Sequence, residues 1–292
     1  MLRGMLVVNA FLRTTKFDDL YHTLLNAAQQ QEMALHVFTN AELSAKVNTP
    51  AFDPSAYDFV LFWDKDVQLA MQLEALSMRV FNSAQSILWC DDKALTYLKL
   101  KEAGIAVPRT ILAPKTFPGV GYTDLAFVRE AAERLGFPIV LKECFGSFGQ
   151  QVYLLHDLES LEKKVLELAG TPLLFQELIS ESYGRDVRIN TVGSRVAASM
   201  LRKSTDGDFR SNLTRGGAME AYTPSPAQEE MALRAVEALG LDFAGVDMLF
   251  GKDGPIVCEV NSNAHFKTTL QCTGVNMAEE IMRHIAGKLE RA

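Results

Sequence analysis

The sequence predicts a mixed α/β and α+β protein in which a parallel sheet comes first and antiparallel hairpins follow. Short apolar strands alternate with helices over the first 90 residues, a pattern typical of a parallel sheet covered on both faces. Two hairpins follow, one with a glycine-rich tip at 145–149 and one with facing polar residues at 245–263. The length of 292 residues suits two or three lobes, each with its own core.

The first 90 residues carry the α/β pattern. The apolar periodicity predicts strands over 5–9, 34–38, 59–63 and 80–82, and helices over 18–31 and 66–79. No GxGxxG follows the first strand, so a dinucleotide-binding dehydrogenase lacks its main support. Asn9 and Asp64 come just past strand ends, where ligands approach such sheets, although both are also ordinary loop or cap residues.

The middle of the chain contains the first hairpin. Asp91 begins a predicted helix that Gly104 ends, and we expect a strand over 105–110. The glycine-rich tip that follows could hold phosphate on its backbone N–H groups or be a plain flexible turn, and it is not a Walker A loop. Lys142 lies in the apolar strand just before this tip, where an ammonium is costly unless it meets an anion. This placement favours a phosphate contact.

Two polar stretches follow a strand over 173–179. Residues 185–190 alternate, so Asp186, Arg188 and Asn190 share one face, which is either an exposed sheet face or a functional one. Arginines then recur at 202, 210 and 215 beside a glycine pair. The guanidinium group of arginine suits bidentate recognition of phosphate or carboxylate. A solvated loop would not need so many arginines in so short a stretch.

The second hairpin brings two carboxylates together. We predict strands over 246–250 and 256–260 and a three-residue loop that pairs Gly251 with Pro255. This register sets Asp247 opposite Glu259, with Asn261 on the same face. Hard divalent ions such as Mg²⁺ take oxygen clusters of this kind, although three polar residues on a solvated strand face would look the same.

Composition excludes several classes of protein. The net charge is −7 and no long Lys/Arg run occurs, which disfavours nucleic acid as the main partner. No apolar run is long enough to span a bilayer, so no membrane is expected. The four cysteines form no CxxC pair and no secretory signal precedes them, which favours reduced thiols and a cytoplasmic location.

At this point the residues resemble the ATP-grasp superfamily, specifically its RimK-type glutamate-ligase branch, over roughly residues 90–285. The motifs occur in the family's order: Asp92-Lys93 with AGIAVPRT, then PIVLKECFGSFG, FQELI, GRDVRI, GDFRSNLTRGG, GVDMLF and CEVN. The resemblance implies an ATP-grasp fold in three units. These are an N-terminal α/β domain (1–92), a central lid subdomain (93–180) and a C-terminal subdomain with the metal site (181–292).

The resemblance also implies which residues bind the nucleotide. The expected contacts are two phosphate-binding lysines, a flap over the phosphates, a hinge that binds adenine largely through backbone, an acid for the ribose hydroxyls and a further nucleotide-contacting segment. In that order they are Lys93 and Lys142; Gly146, Ser147 and Gly149; Glu177 and Leu178; Asp186; and Arg210, Ser211 and Asn212.

The implied metal ligands are Asp247, Glu259 and Asn261, which would hold two ions of Mg²⁺ or Mn²⁺. Arg202 and Arg215 are the candidates for holding the acceptor carboxylate and the acyl phosphate. The implied reaction joins a carboxylate to an amine through an acyl phosphate, plausibly adding glutamate or another amino acid to a small molecule or peptide end. An ATP-grasp kinase and a non-catalytic nucleotide-binding protein are the alternatives. A homo-oligomer is possible.

One segment departs from the family pattern. RimK-like chains usually continue after EVN with a small residue and Pro-Gly, whereas this chain has Ser-Asn-Ala-His-Phe-Lys at 262–267. In the family this loop lies near the acceptor site, so the departure bears on the substrate. His265 is a substrate contact, a base for the incoming amine, or an ordinary loop histidine.

Overall fold

The computed structural model describes residues 1–12, 14–146, 149–211 and 217–291. The described part contains three sheets: a four-stranded sheet near the N-terminus, a four-stranded sheet in the middle and a five-stranded sheet towards the C-terminus. Over those ranges, every helix is too short or too polar to cross a membrane.

The N-terminal sheet is parallel throughout, as the strand and helix alternation predicts, with strand order β2-β1-β3-β4. Its strands are almost wholly apolar because helices cover both faces. Its elements are β1 (Arg3–Val8), α1 (Thr15–Gln30), β2 (Ala34–Thr39), α2 (Asn40–Ser44), β3 (Phe59–Phe62), α3 (Val67–Ala75), β4 (Val80–Phe81) and α4 (Ala84–Asp91).

The central sheet is antiparallel, with strand order β5-β8-β6-β7. Strands β6 and β7 form the predicted hairpin with the glycine-rich tip. The elements are α5 (Lys93–Glu102), β5 (Thr110–Leu112), α6 (Ala126–Leu135), β6 (Ile139–Glu143), β7 (Val152–Leu155), α7 (Leu158–Glu167) and β8 (Leu173–Glu177).

The C-terminal sheet is also antiparallel, with strand order β11-β10-β9-β12-β13. Helix α8 packs on it, and α10 packs against α1 of the N-terminal unit. The elements are β9 (Arg185–Val192), β10 (Arg195–Lys203), β11 (Ala218–Ala221), α8 (Pro226–Ala238), β12 (Phe243–Gly251), β13 (Gly254–Asn261), α9 (Lys267–Thr273) and α10 (Met277–Leu289).

The register of the β12–β13 hairpin confirms one prediction and corrects another. Asp247 lies directly opposite Glu259 as predicted, but Gly251 pairs with Gly254 and not with Pro255. The loop is therefore one residue shorter than expected. A register shift between Asp247 and Met248 adds one residue on the β13 side. This extra residue compensates for the shorter loop, so Asp247 still lies opposite Glu259.

Two predicted element boundaries between 91 and 110 are wrong. Asp91 ends α4, and Asp92 is the N-cap of α5, because its carboxylate accepts hydrogen bonds from the first-turn amides. The strand predicted over 105–110 is confined to Thr110–Leu112. The Ile105 amide instead donates to the carbonyl of Leu100 at the end of α5, and Pro108 has no amide to donate to a sheet.

A continuous apolar core joins the two ends of the chain. Leu24 of α1, Trp63 after β3, Phe243 of β12 and Ile281 of α10 belong to one buried cluster, and the Trp63 and Phe243 rings stack with centroids 5.7 Å apart. A separate cluster fills the central unit between its sheet and helices α6 and α7. The N-terminal and C-terminal sheets therefore share a core, whereas the central sheet has its own.

Candidate active site

A cleft with a cavity of about 280 Å³ is lined by residues of the N-terminal, central and C-terminal units. The N-terminal unit contributes Lys16, Trp63 and Lys65 from segments that follow the carboxyl ends of β1 and β3. The strands of the other two sheets and residues 262–265 supply most of the remaining wall. The sequence-predicted residues that line it are Lys142, Gly146, Gly149, Glu177, Leu178, Asp186, Arg202, Arg210, Ser211, Asp247, Glu259 and Asn261.

Three predicted residues cannot be assessed in the same way. Ser147, Asn212 and Arg215 lie outside the described residues. A fourth, Lys93, lines a smaller cavity of about 20 Å³, which shares Lys142 and Glu259 with the main cleft. Lys93 Nζ donates to the carbonyl of Gly146 at 3.2 Å, so this lysine holds the tip of the β6–β7 hairpin.

The predicted metal ligands lie at the end of the β12–β13 hairpin nearest the cleft. Asp247 is buried, Glu259 faces it across the hairpin, and Asn261 lies two pairs further along, opposite Gly245. Within the described residues, the Glu259 carboxylate makes no hydrogen bond or ion pair, and no cluster of three or more His, Cys, Asp or Glu could hold a metal ion. This donor set fits Mg²⁺ only if phosphate oxygens and water complete the coordination.

Asp247 belongs to a buried network of alternating charges that crosses three strands. Its carboxylate pairs with the guanidinium of Arg188 through two hydrogen bonds and with Arg202 Nη2 at 2.9 Å. Arg202 in turn makes two 2.6 Å hydrogen bonds to both oxygens of Asp186. The network follows from register, since Arg188 pairs across the sheet with Asp247 and Arg202 with Asp186.

The network shifts the pKa values of Asp247 and Arg202. Burial opposes ionisation of Asp247, but Arg188 and Arg202 outweigh it and hold the pKa of that carboxyl below its ordinary value. Burial alone would lower the pKa of Arg202, yet Asp186 and Asp247 raise it. The interpretation of 185–190 as an exposed face is wrong, because Asp186, Arg188 and Asn190 are all buried.

Lys142 is the opposite case, a buried ammonium without a carboxylate partner. The residue is 8% exposed, and in the described part of the chain the only polar contact of Nζ is with Cys258 Sγ, at 3.7 Å. A thiol is a weak acceptor, and burial raises the pKa of Cys258, which keeps this thiol protonated despite the lysine. The buried charge is therefore poised for an anion that enters the cleft.

Arg210 joins the hairpin tip to the C-terminal unit. Its guanidinium is held by the Asp208 carboxylate, and Nη1 donates to the carbonyls of Gly149 at 2.7 Å and Val152 at 3.0 Å. The sequence resemblance implied a nucleotide contact for Arg210. Arg210 lines the cleft, and its hydrogen bonds also hold Gly149, the last residue of the predicted flap.

The predicted adenine-binding hinge follows β8. The Glu177 carboxylate turns towards Arg109, accepting from its amide at 2.7 Å and its Nε at 2.6 Å. In the described part of the chain, neither the amide nor the carbonyl of Leu178 makes a hydrogen bond. The hinge therefore offers a backbone donor and acceptor at Leu178, as a backbone-mediated contact requires.

Sequence reasoning missed the contribution of the N-terminal unit to this wall. Asn9 and Asp64, noted just past strand ends, hydrogen-bond each other at 3.2 Å, and it is Lys16 and Lys65 nearby that line the cleft. The carboxyl ends of parallel strands are where ligands approach such sheets, so this edge was the available signal. Arg188 was also missed, although its place on a polar strand face was recognised.

Comparison with known proteins settles the family. Residues 90–285 match a family model described as the RimK-like ATP-grasp domain. The chain belongs to the RimK-like ATP-grasp family. The predicted resemblance is confirmed over the same residues.

Two curated relatives carry functional names. The chain is 36% identical over 259 residues to N-acetylaspartylglutamate synthase A of Homo sapiens, covering 87% of this chain and 62% of that protein. It is 37% identical over 217 residues to beta-citrylglutamate synthase B of Danio rerio, covering 74% of this chain and 52% of that protein. The chain thus spans between half and two thirds of the length of these relatives.

Solved structures share the whole fold. A RimK domain ATP-grasp protein from Sphaerobacter thermophilus DSM 20745 superposes with a TM-score of 0.75 over 97% of this chain and 98% of that chain, at 23% identity. The predicted ATP-grasp fold, a parallel sheet followed by two antiparallel sheets, is confirmed.

Proposed function

We propose that the protein is an ATP- and Mg²⁺-dependent ligase that joins a carboxylate to an amine through an acyl phosphate. The observation that carries the proposal is one cleft that contains two charged groups without a partner of opposite charge among the described residues, the Glu259 carboxylate and the buried Lys142 ammonium. A metal-bound polyphosphate would satisfy both groups at once. The ligase and synthase names of the relatives support amide formation over phosphorylation of a hydroxyl.

The roles of individual residues belong to this proposal. Asp247, Glu259 and Asn261 would hold Mg²⁺, which would neutralise the repulsion between ATP and the attacking carboxylate. Lys142 and Lys93 would contact the phosphates, with Lys93 also fixing the flap. The Leu178 backbone would bind adenine.

Four further residues take the remaining assignments. Asp186 would accept hydrogen bonds from the ribose hydroxyls while it keeps Arg202 in place. Arg202 and Arg215 would hold the acyl phosphate and the acceptor carboxylate. Arg210 would keep the flap closed so that water does not reach the acyl phosphate.

The reaction then needs no covalent enzyme intermediate. A carboxylate oxygen of the acceptor attacks the γ-phosphorus of ATP, and ADP leaves. The amine displaces phosphate from the acyl carbon and forms the amide. Glutamate is the proposed amine because both relatives are named for glutamate conjugates, and the proposed acceptor is a small carboxylic acid or a peptide end. The number of ions, a cytoplasmic location and the oligomeric state remain predictions from the sequence.

The test measures ADP and phosphate release with Mg²⁺, ATP and glutamate against a panel of small carboxylic acids, with mass spectra of the products. A glutamate-dependent release of both, with a new amide mass, supports the ligase. ADP without free phosphate, together with a phosphoester mass, would overturn it in favour of a kinase.

The variant Glu259→Gln tests the metal site. Loss of a metal that supplies several kcal/mol of charge stabilisation should slow ADP formation by roughly a thousandfold, with a smaller effect on ATP binding. Glu237→Gln, an exposed position on α8, is the matched control and should keep full activity. Undiminished turnover in Glu259→Gln would show that the metal is held elsewhere.

A further inference from the structure

Residues 262–267, the loop that departs from the family pattern, are fixed to the N-terminal unit at several points. Asn82 Nδ2 donates to the Ser262 carbonyl at 3.0 Å, and Asn263 Nδ2 donates to the Asp64 carbonyl at 2.9 Å. Phe266 is buried, with its ring edge-on to Trp63 at 5.7 Å. Asn263 and His265 both line the cleft. The loop is thus a built wall of the cleft and not a solvated connection.

His265 is held in one tautomer. Its Nε2 lies 3.2 Å from the carbonyl oxygen of Lys16, which can only accept, so Nε2 carries the hydrogen. In the neutral ring Nδ1 then has the free lone pair, and within the described ranges Nδ1 has no hydrogen-bond partner. The Phe17 ring packs edge-on against the imidazole at 6.0 Å and fixes its plane.

The surroundings of His265 keep it neutral. Burial lowers the pKa of His265, and the hydrogen bond to the Lys16 carbonyl opposes burial with a smaller effect. The positive charges of Lys16, Lys267 and Arg188 lower the pKa further, each by less than the carbonyl raises it. The groups that face it are Lys16 and Phe17 of α1, Arg188 of β9, and Lys267 of α9, which pairs with Asp19 of α1. The same charges disfavour the protonated form of any amine that enters beside them.

Asn263 provides a second acceptor on the same loop. Its amide orientation is forced, because Nδ2 must face the Asp64 carbonyl. Its Oδ1 is buried and has no donor among the described residues. Buried acceptors without a donor are uncommon, and one beside a neutral imidazole suits a group that brings N–H donors. An amine is such a group.

We propose that His265 is the general base for the second half of the ligase reaction, taking the proton from the incoming amine as it attacks the acyl phosphate. This inference rests on the proposed function. Asn263 is a positioning residue that fixes the loop and offers Oδ1 to an N–H of the amine.

The step balances without a further reactant. The lone pair of the neutral amine forms the C–N bond while one N–H proton passes to His265 Nδ1. The C–O bond to phosphate breaks, and its electron pair leaves with the phosphate. His265 returns the proton to that oxygen, so hydrogenphosphate departs and the imidazole is neutral again.

The test separates the two halves of the reaction with hydroxylamine. This nucleophile is uncharged at neutral pH and needs little help from a base, so hydroxamate formation reports the acyl phosphate alone. In His265→Gln we expect amide formation with glutamate to fall by about 10²-fold or more, because general base catalysis contributes that much. Hydroxamate formation should stay near the wild-type rate. His22→Asn, at an exposed position on α1, is the matched control and should change neither.

Two further readouts distinguish a base from a structural residue. The wild-type rate of amide formation should fall as the pH drops through the lowered pKa of His265, and His265→Gln should lack this acidic limb. Added imidazole should restore amide formation in His265→Ala.

Each other outcome overturns a specific statement. Equal losses of hydroxamate and amide in His265→Gln would make His265 a structural tie between the loop and α1. No loss of either would exclude it as the base. Wild-type protein that forms neither product from any acid in the panel would instead contradict the proposed function.

Discussion

Two groups of charged residues line the same cleft, and they differ in whether their charges are paired within the protein. Asp186, Arg188, Arg202 and Asp247 neutralise one another through hydrogen bonds across adjacent strands of the C-terminal sheet. Glu259 lies on the neighbouring strand β13, and Lys142 lies on β6 of the central sheet. Neither has a partner of opposite charge in the described part of the chain.

The difference separates residues whose charges are balanced within the protein from residues whose charges are balanced only when a ligand binds. A buried network of paired charges holds its geometry when no ligand is bound, because each charge is balanced by a neighbour. Removing any member leaves a buried charge without a partner and lowers the stability of the fold. An unpaired buried charge costs free energy in the empty protein and recovers it when the counter-charge binds. The same substitution chemistry should therefore have opposite consequences for stability in the two groups.

The largest effect should come from Arg202→Met. The change removes the partner of Asp186 and one of the two partners of Asp247. Breaking a buried pair on one side costs about 3–5 kcal/mol, so the free energy of unfolding in urea at pH 7 should fall by that amount. Arg129→Met, whose pair with Glu162 is largely exposed, is the control and should cost at most about 1 kcal/mol.

The pH dependence checks the cause of that loss. A carboxyl whose pKa is lowered by folding contributes stability that is present above its unfolded pKa, about 3.9, and is lost as pH falls through the folded value. Since Arg202 helps to lower the pKa of Asp247, the stability gap between wild type and Arg202→Met should narrow in acid below about pH 4. A gap that stays constant would mean that packing, and not charge, makes the difference.

Lys142→Met should act on binding and not on folding. The free energy of unfolding without nucleotide should stay the same or rise, because the change removes a buried ammonium that has no carboxylate partner in the described ranges. Affinity for ATP should fall by about 10- to 100-fold, the value of a hydrogen bond to a charged group. Calorimetric titration and urea unfolding measure the two effects. Lys163→Met, exposed on α7, is the control. Destabilisation by Lys142→Met would place this lysine with the structural network.

The same division explains how much of the site the sequence could predict. Asp247, Glu259 and Lys142 stand out locally, as polar residues in otherwise apolar strands, and the predicted hairpin register sets the two carboxylates opposite each other. The prediction was right although the loop was placed one residue off, since the bulge compensates. Bulges leave no clear mark in a sequence, and this agreement depended on one.

Residues whose importance arises only from packing were not predictable. The role of Lys16 depends on how the first turn of α1 meets residue 265, which is 249 residues away in the sequence. Arg188 was visible as polar, but its partner could be known only once β9 was placed beside β12. Helix α9, directly after residue 266, was missed because Lys-Thr-Thr-Leu-Gln-Cys-Thr has weak helical periodicity, and its Thr269 is buried by contact with Asn190.

The smallest expected effect is at the hinge, where charge pairing and ligand binding coincide in one residue. Glu177→Gln keeps an acceptor for the Arg109 amide and loses the ion pair to a guanidinium that is 62% exposed. Such a pair is worth less than about 1 kcal/mol, so stability should change little. ATP affinity should hold within about twofold, below the contribution of one neutral hydrogen bond, because adenine contacts at this hinge use the Leu178 backbone. Glu143→Gln on the neighbouring β6, whose carboxylate accepts from Tyr153, is the control. A clear loss of ATP affinity in Glu177→Gln without a loss of stability would mean that its carboxylate turns from Arg109 to the nucleotide. Glu177 would then be a ligand-binding residue, like Glu259 and Lys142, and not only the partner of Arg109.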